Sequence, residues 1–147
     1  MNINGQYGAY PPRLVITCNI SLEEAKEVFN AYWKLNWAIK ETAARQKTKT
    51  LDDGSKWLWN PVSKYWYSLR KDNDRFSTLI QGTASYVFDL WVYKVLEHRQ
   101  QLTASFHDEI VLCVKEGYRE EIRKYLLKTI DDTNKILKLN RKLDIGI

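Results

Sequence analysis

Residues 102–114 carry the most restrictive pattern in this 147-residue chain. Leu102, Ala104 and Phe106 alternate with Thr103, Ser105 and His107, and after Asp108-Glu109 the alternation resumes at Ile110, Leu112 and Val114. A period of two sends successive side chains to opposite faces, so the two runs read as the strands of a β-hairpin. His107, Asp108 and Glu109 then sit together at one end of a sheet. An acidic pair at a hairpin tip is most simply a solvated turn, because Asp suits turns. The flanking residues Ala-Ser-Phe and Ile-Val-Leu-Cys-Val are strongly apolar, however, whereas an idle turn is normally reached through polar residues. Carboxylates held on such a support suit hard divalent cations such as magnesium. Phosphoryl transfer uses two of these ions, which one carboxylate cannot hold.

The rest of the chain divides into helical and turn-rich stretches. Pro11 and Pro12 break any helix that precedes them. Ser21 with Glu24 three positions on is a capping box, and the stripe of Leu22, Ala25, Val28, Phe29, Tyr32, Leu35 and Ile39 predicts one amphipathic helix from about Leu22 to Arg45. Between Leu51 and Leu69, short aromatic stretches around Asp53-Gly54 and Asn60-Pro61 predict one or two short strands. A second helix is expected from about Arg75 to Arg99, apolar around much of its circumference, in which the small and polar Gln81, Gly82 and Thr83 need a reason. Gly117 ends the hairpin, a last helix runs from about Tyr118 to Leu137, and Lys142–Ile147 reads as a short closing strand. No internal repeat is present.

Composition narrows the setting. With 44% hydrophobic and 28% charged residues, the chain is an ordinary globular unit rather than a disordered or collagen-like one. Cys18 and Cys113 are far apart and in no zinc-like or CxxC spacing, so a reducing compartment is the simpler expectation. No apolar run is long enough to span a bilayer, and the N-terminus lacks the pattern of a signal peptide, which predicts an intracellular, cytoplasmic protein with no membrane partner. The net charge is +5, and Lys40–Arg75 holds nine basic against five acidic residues, interleaved with Trp57, Trp59, Tyr65, Trp66 and Tyr67. Such interleaving suits a surface for phosphates, sugars and bases, and it equally suits a solvated polar face over a hairpin with aromatic core residues.

Two ordered motifs carry a resemblance. The segment FSTLIQGTASYVFDLW, followed by LTASFHDEIVLCV, resembles the last part of the palm of family A DNA polymerases, the group of bacterial DNA polymerase I and many phage replicases. In that family a QGTA helix precedes a hairpin whose turn reads HDE, called motif C. Gln6-Tyr7-Gly8-Ala9 is similar to the tail of motif B, KxxxFxxxYG. The resemblance covers nearly the whole chain. It implies an α+β fold: a partial polymerase palm with a small antiparallel sheet packed on helices, residues 1–50 ending the fingers and residues 51–147 forming the palm part.

The roles implied by the resemblance transfer position by position. Asp108 and Glu109 correspond to the motif C carboxylates that bind Mg2+ and serve catalysis. His107 matches a histidine at the primer terminus, and Gln81 a glutamine reaching the minor groove of the new pair. Minor-groove acceptors are common to all Watson–Crick pairs, so a donor there senses shape rather than sequence. Tyr7 resembles a tyrosine packed near the templating base. Ser77 stands where the family often has Asn, and Asn73 where it often has Arg, which leaves Arg75 as the nearest cation. Ile3 falls where Phe or Tyr is usual, and no sugar-discriminating role transfers to it.

Motif A and the motif B Lys and Arg have no counterpart here. The resemblance therefore implies a C-terminal subunit or fragment of a split DNA polymerase, of a phage-like kind that would act within a bacterial host. Its partners would be primer–template DNA, a dNTP and an N-terminal polypeptide carrying motif A. The alternative is a non-catalytic DNA-binding or regulatory remnant.

Overall fold

Two prolines open a helix here as well as closing off what precedes them. In the computed structural model, which describes residues 10–97 and 101–146, α1 spans Pro11–Cys18. A proline in the first turn loses no helical hydrogen bond, because the first N–H groups have no intrahelical partner. Asn19, left-handed at φ 51°, ends it. The sequence reading gave this stretch no element.

Helix α2 spans Leu22–Leu35 and starts at the expected capping box. The Ser21 hydroxyl accepts from the Glu24 N–H at 3.2 Å, and the Glu24 carboxylate accepts from the Ser21 N–H at 2.9 Å. That bonding draws the Glu24 carboxyl below its ordinary pKa. The single long helix expected to Arg45 is instead two. Asn36 leaves helical geometry at ψ 33°, its side-chain amide donates to the Tyr32 carbonyl at 2.9 Å, and α3 resumes over Trp37–Arg45. A short amide that bonds backbone competes with the helix ladder, and here it wins. Leu14, Ala25 and Tyr32 are the buried residues of α1 and α2, and Phe29, Tyr32 and Trp33 stack edge to face around them.

Three short strands follow: β1 Thr48–Thr50, β2 Lys56–Trp59 and β3 Trp66–Leu69, antiparallel and in that order. Two were expected. β1 escaped because Thr-Lys-Thr is exposed throughout and carries no apolar signal. Gly54, at φ 80°, makes the first turn, a conformation in which a Cβ is strained. The second connection is organised by Asn60, which is fully buried. Its side chain donates to the Leu79 carbonyl and accepts from the N–H groups of Val62 and Ser63. It thereby ties the β2–β3 loop to α4, the helix Arg75–Leu96. Leu58, Leu69 and Leu79 form the buried cluster between sheet and helix.

The chain clusters into two compact units, residues up to Gly82 and residues from Thr83 onward. In the second, β4 (Gln101–Phe106) and β5 (Glu109–Cys113) form the expected hairpin, with a register shift between Leu102 and Ala104. Helix α5 spans Arg119–Leu137, also as expected. Trp91, Val95, Leu126 and Ile130 make the core, with Ile110 and Leu112 of β5 packed against it. The Trp91 indole donates to the Thr129 hydroxyl at 3.1 Å, so a large apolar ring is buried without stranding its N–H.

The strand expected over Lys142–Ile147 is absent among the described residues of that stretch. Leu143 and Ile145 do alternate into the core, but the backbone partner is a side chain. The Asn134 amide donates to the Leu143 carbonyl at 2.9 Å and accepts from its N–H at 2.7 Å, reproducing a strand's bonds without a strand.

Because Asn60 satisfies three backbone groups from a buried position, Asn60→Ala is expected to destabilise the first unit by at least about 2 kcal/mol. The measurement is the urea midpoint followed by tryptophan fluorescence, and an unchanged midpoint would contradict this account of the loop.

Candidate functional site

The hairpin tip is a two-residue loop. Phe106 pairs with Glu109, leaving His107 and Asp108 between the strands. His107 is left-handed at φ 47°, as a tight hairpin requires of its first loop residue; histidine tolerates this region better than most side chains. His107, Asp108 and Glu109 are all exposed, and Phe106 beside them is 66% exposed. Glu109 opens β5 on the face opposite Ile110, whose anchoring in the core fixes where the tip stands. The carboxylates therefore face solvent from a support that cannot easily turn.

Exposed carboxylate oxygens are the donor type that a hard divalent cation takes, so the residues fit magnesium chemically. They do not complete a site. Among the described residues no three His, Cys, Asp or Glu side chains gather into a ligand set. Asp108 and Glu109 can supply only part of the roughly six oxygens such an ion needs.

A second feature lies in the first unit. Gln81 and Ser77, one helical turn apart on α4, line an open groove of about 490 Å³ together with Tyr67, Ser68, Arg70, Asp74, Thr78 and Gly82. One wall of it lies against a glycine. The Tyr67 hydroxyl donates to the Gly82 carbonyl and lies 3.2 Å from the Ser63 hydroxyl, which lays the ring across the helix. A Cβ on Gly82 would sit 2.9 Å from that ring. This is the reason that the small residue within QGT needed.

Two of the expected nucleic-acid-binding residues, Gln81 and Ser77, are thus brought together. Ser77 directs its hydroxyl to the Asp74 carbonyl at 3.0 Å, while Gln81 is exposed. Arg75 is not among the residues lining this groove: its guanidinium donates to Asp72 at 3.0 Å, and Lys56 donates to the other oxygen of the same carboxylate at 2.5 Å. Those two bonds, Lys56 first, hold the Asp72 carboxyl below its ordinary pKa. Arg70 supplies the groove's cation instead. Sequence reading counted Arg70 only as part of a charge run, and its place at the end of an edge strand was the available signal. Tyr7, with Gly8 and Ala9, lies outside the described residues.

The QGTA helix, the two-residue HDE hairpin and the α+β arrangement resemble one class, a part of the polymerase domain of family A DNA polymerases. The comparisons agree with that class. The chain is 26% identical over 145 residues to DNA polymerase I of Helicobacter pylori, a match covering 90% of this chain and 16% of that protein. Its fold matches the POL domain of Pol1 from M. smegmatis, solved in complex with DNA primer-template and dNTP, with a TM-score of 0.65 and 18% identity, over 90% of this chain and 26% of that one. No family model matches. The chain thus spans about a sixth of the curated relative's length. No helix among the described residues is long and apolar enough to cross a membrane.

Gly82→Ala tests the groove. Alanine in place of glycine favours a helix by about 1 kcal/mol, but overpacking a ring held at both ends costs typically about 1–3 kcal/mol. The expected sign is a lower thermal midpoint, and a raised one would show that Tyr67 moves freely.

Proposed function

We propose that this stretch supplies the motif C part of a family A DNA polymerase, with Asp108 and Glu109 as its catalytic, metal-binding carboxylates. The observation that carries the reading is the exposed, core-anchored HDE hairpin following a QGTA helix in a chain similar to a DNA polymerase I. Bound magnesium ions would stabilise the attacking and leaving oxygens of nucleotidyl transfer. What this chain's residues do is hold two negative charges at a fixed point in solvent, where cations and a nucleic-acid end can reach them. His107, in the same loop, is assigned to the primer terminus.

The groove residues take the complementary task. Gln81 offers an amide donor to minor-groove acceptors, which all correct base pairs present alike. Ser77 adds a small polar neighbour, and Arg70 a positive charge for a phosphate. Tyr7 is assigned to the templating base and Arg75 to the nearby DNA backbone, the latter only if its pairing with Asp72 yields. Residues 1–50 are assigned to the end of the fingers and 51–147 to the palm.

The remaining metal oxygens and the triphosphate-binding cations come from polypeptide outside these 147 residues, which must carry motif A and most of motif B. A carboxylate pair alone attracts a cation but leaves most of its coordination to water, so the isolated chain is inert.

Two measurements check this. Primer extension by the isolated 147 residues is expected to give no incorporation, and robust synthesis would refute the need for a partner. In a complex reconstituted with an N-terminal polymerase polypeptide, Asp108→Asn is expected to lower incorporation at least about a hundredfold, the scale on which electrostatic catalytic groups act, while primer–template affinity persists. Equal activity of the variant would favour the non-catalytic remnant.

A further inference from the structure

The sheet β1-β2-β3 has a second face that the polymerase reading does not use. Leu58 and Leu69, with Leu79 of α4, lie on the covered side. The register puts Lys49 opposite Trp57, Trp57 opposite Ser68, and Trp59 opposite Trp66, so all of these share the other side. Lys47 joins them two residues before Lys49, its carbonyl accepting from the Trp59 N–H. None of the three indoles is buried, and no strand position on this side is acidic.

The cations are arranged around the rings. The ammonium groups of Lys49 and Lys47 lie 4.4 Å and 5.7 Å from the centre of the Trp66 ring, and the Trp59 and Trp66 rings are 5.3 Å apart. Among the described residues neither lysine enters an ion pair, in contrast to Lys56, which Asp72 neutralises. An ammonium over an indole keeps its charge and its outward N–H donors. The surface thus combines unneutralised cations with aromatic faces.

We infer that this face binds single-stranded nucleic acid, the lysines meeting phosphates and the indoles meeting splayed bases. Charge complementarity selects a polyanion. The three indoles select, among polyanions, one with planar rings; an acidic peptide would leave them unused. A duplex keeps its bases stacked internally, so a strand with free base faces fits better. The inference stands apart from the groove of Gln81 and from the HDE tip.

The test is fluorescence anisotropy of a labelled oligothymidylate of about 12 nucleotides, a length within the range one such surface covers, titrated with the full chain at several salt concentrations. The double substitution Lys47→Gln with Lys49→Gln is expected to flatten the salt dependence by about 1.4 in slope, two phosphates at about 0.7 each. Trp66→Leu, with its fold verified by circular dichroism, should weaken binding about tenfold through lost stacking. Lys40→Gln with Arg45→Gln, which removes equal charge from α3, should change the affinity less than twofold. The inference is overturned if the two charge-removing pairs weaken binding equally, if Trp66→Leu binds as the parent does, or if polyglutamate of matched charge competes as well as unlabelled oligothymidylate.

Discussion

A two-residue loop can hold His107 and Asp108 in solvent only if the strands behind it do not slip. Strand side chains alternate, so a shift of one residue on β5 would drive Glu109 and Val111 inward and push Ile110 and Leu112 out. The burial of Ile110 and Leu112 against Trp91, Val95, Leu126 and Ile130 forbids that exchange. The tip's geometry is thus enforced from the hydrophobic core, starting at Ile110 directly after Glu109. The register shift at Leu102/Ala104 falls at the far end of β4, away from the loop.

In the first unit the equivalent constraint is a close approach. Tyr67 reaches the α4 backbone at Gly82, and Asn60 reaches it one turn earlier at Leu79. A phenol and a buried amide thereby fasten an edge strand and its loop to a helix that also packs on the sheet through Leu79 against Leu58 and Leu69. Gln81 follows as a consequence: with its neighbour Gly82 pressed under the ring, it is left exposed at the groove.

What the sequence made legible follows from how local each signal is. The hairpin, the capping box at Ser21, the start of α4 and the extent of α5 rest on short local patterns, and these were readable; the expected end of α4 at Arg99 lies outside the described residues, and α4 ends at Leu96. The break at Asn36 was not, because the apolar stripe runs on from Leu35 to Ile39, and Trp37 beside it is apolar as well. In the fold Leu35 and Trp37 are 82% and 62% exposed, so their hydrophobicity did not mark a buried face. α1 was hidden by reading prolines only as breakers. The last six residues alternate like a strand, yet an asparagine side chain supplies the partner. Of the candidate site, residue types and their spacing were legible. The sharing of Asp72 between its neighbour Arg75 and the distant Lys56, and the place of Arg70 in the groove, depend on tertiary packing and were not.

The two halves of the proposed chemistry also differ in how complete they are. Recognition of a base pair by an amide donor, as proposed, needs only Gln81, with Ser77 beside it and a wall to lean on, all within one unit. Charge stabilisation at a reacting phosphorus needs oxygens that converge from opposite sides. Adjacent carboxylates on one tight loop cannot converge on an ion from both sides, and without a cation between them they repel. On the proposed reading, Asp108 and Glu109 act only against a facing carboxylate. The hairpin remains folded without it because its stability is set by Ile110 and Leu112 rather than by the tip.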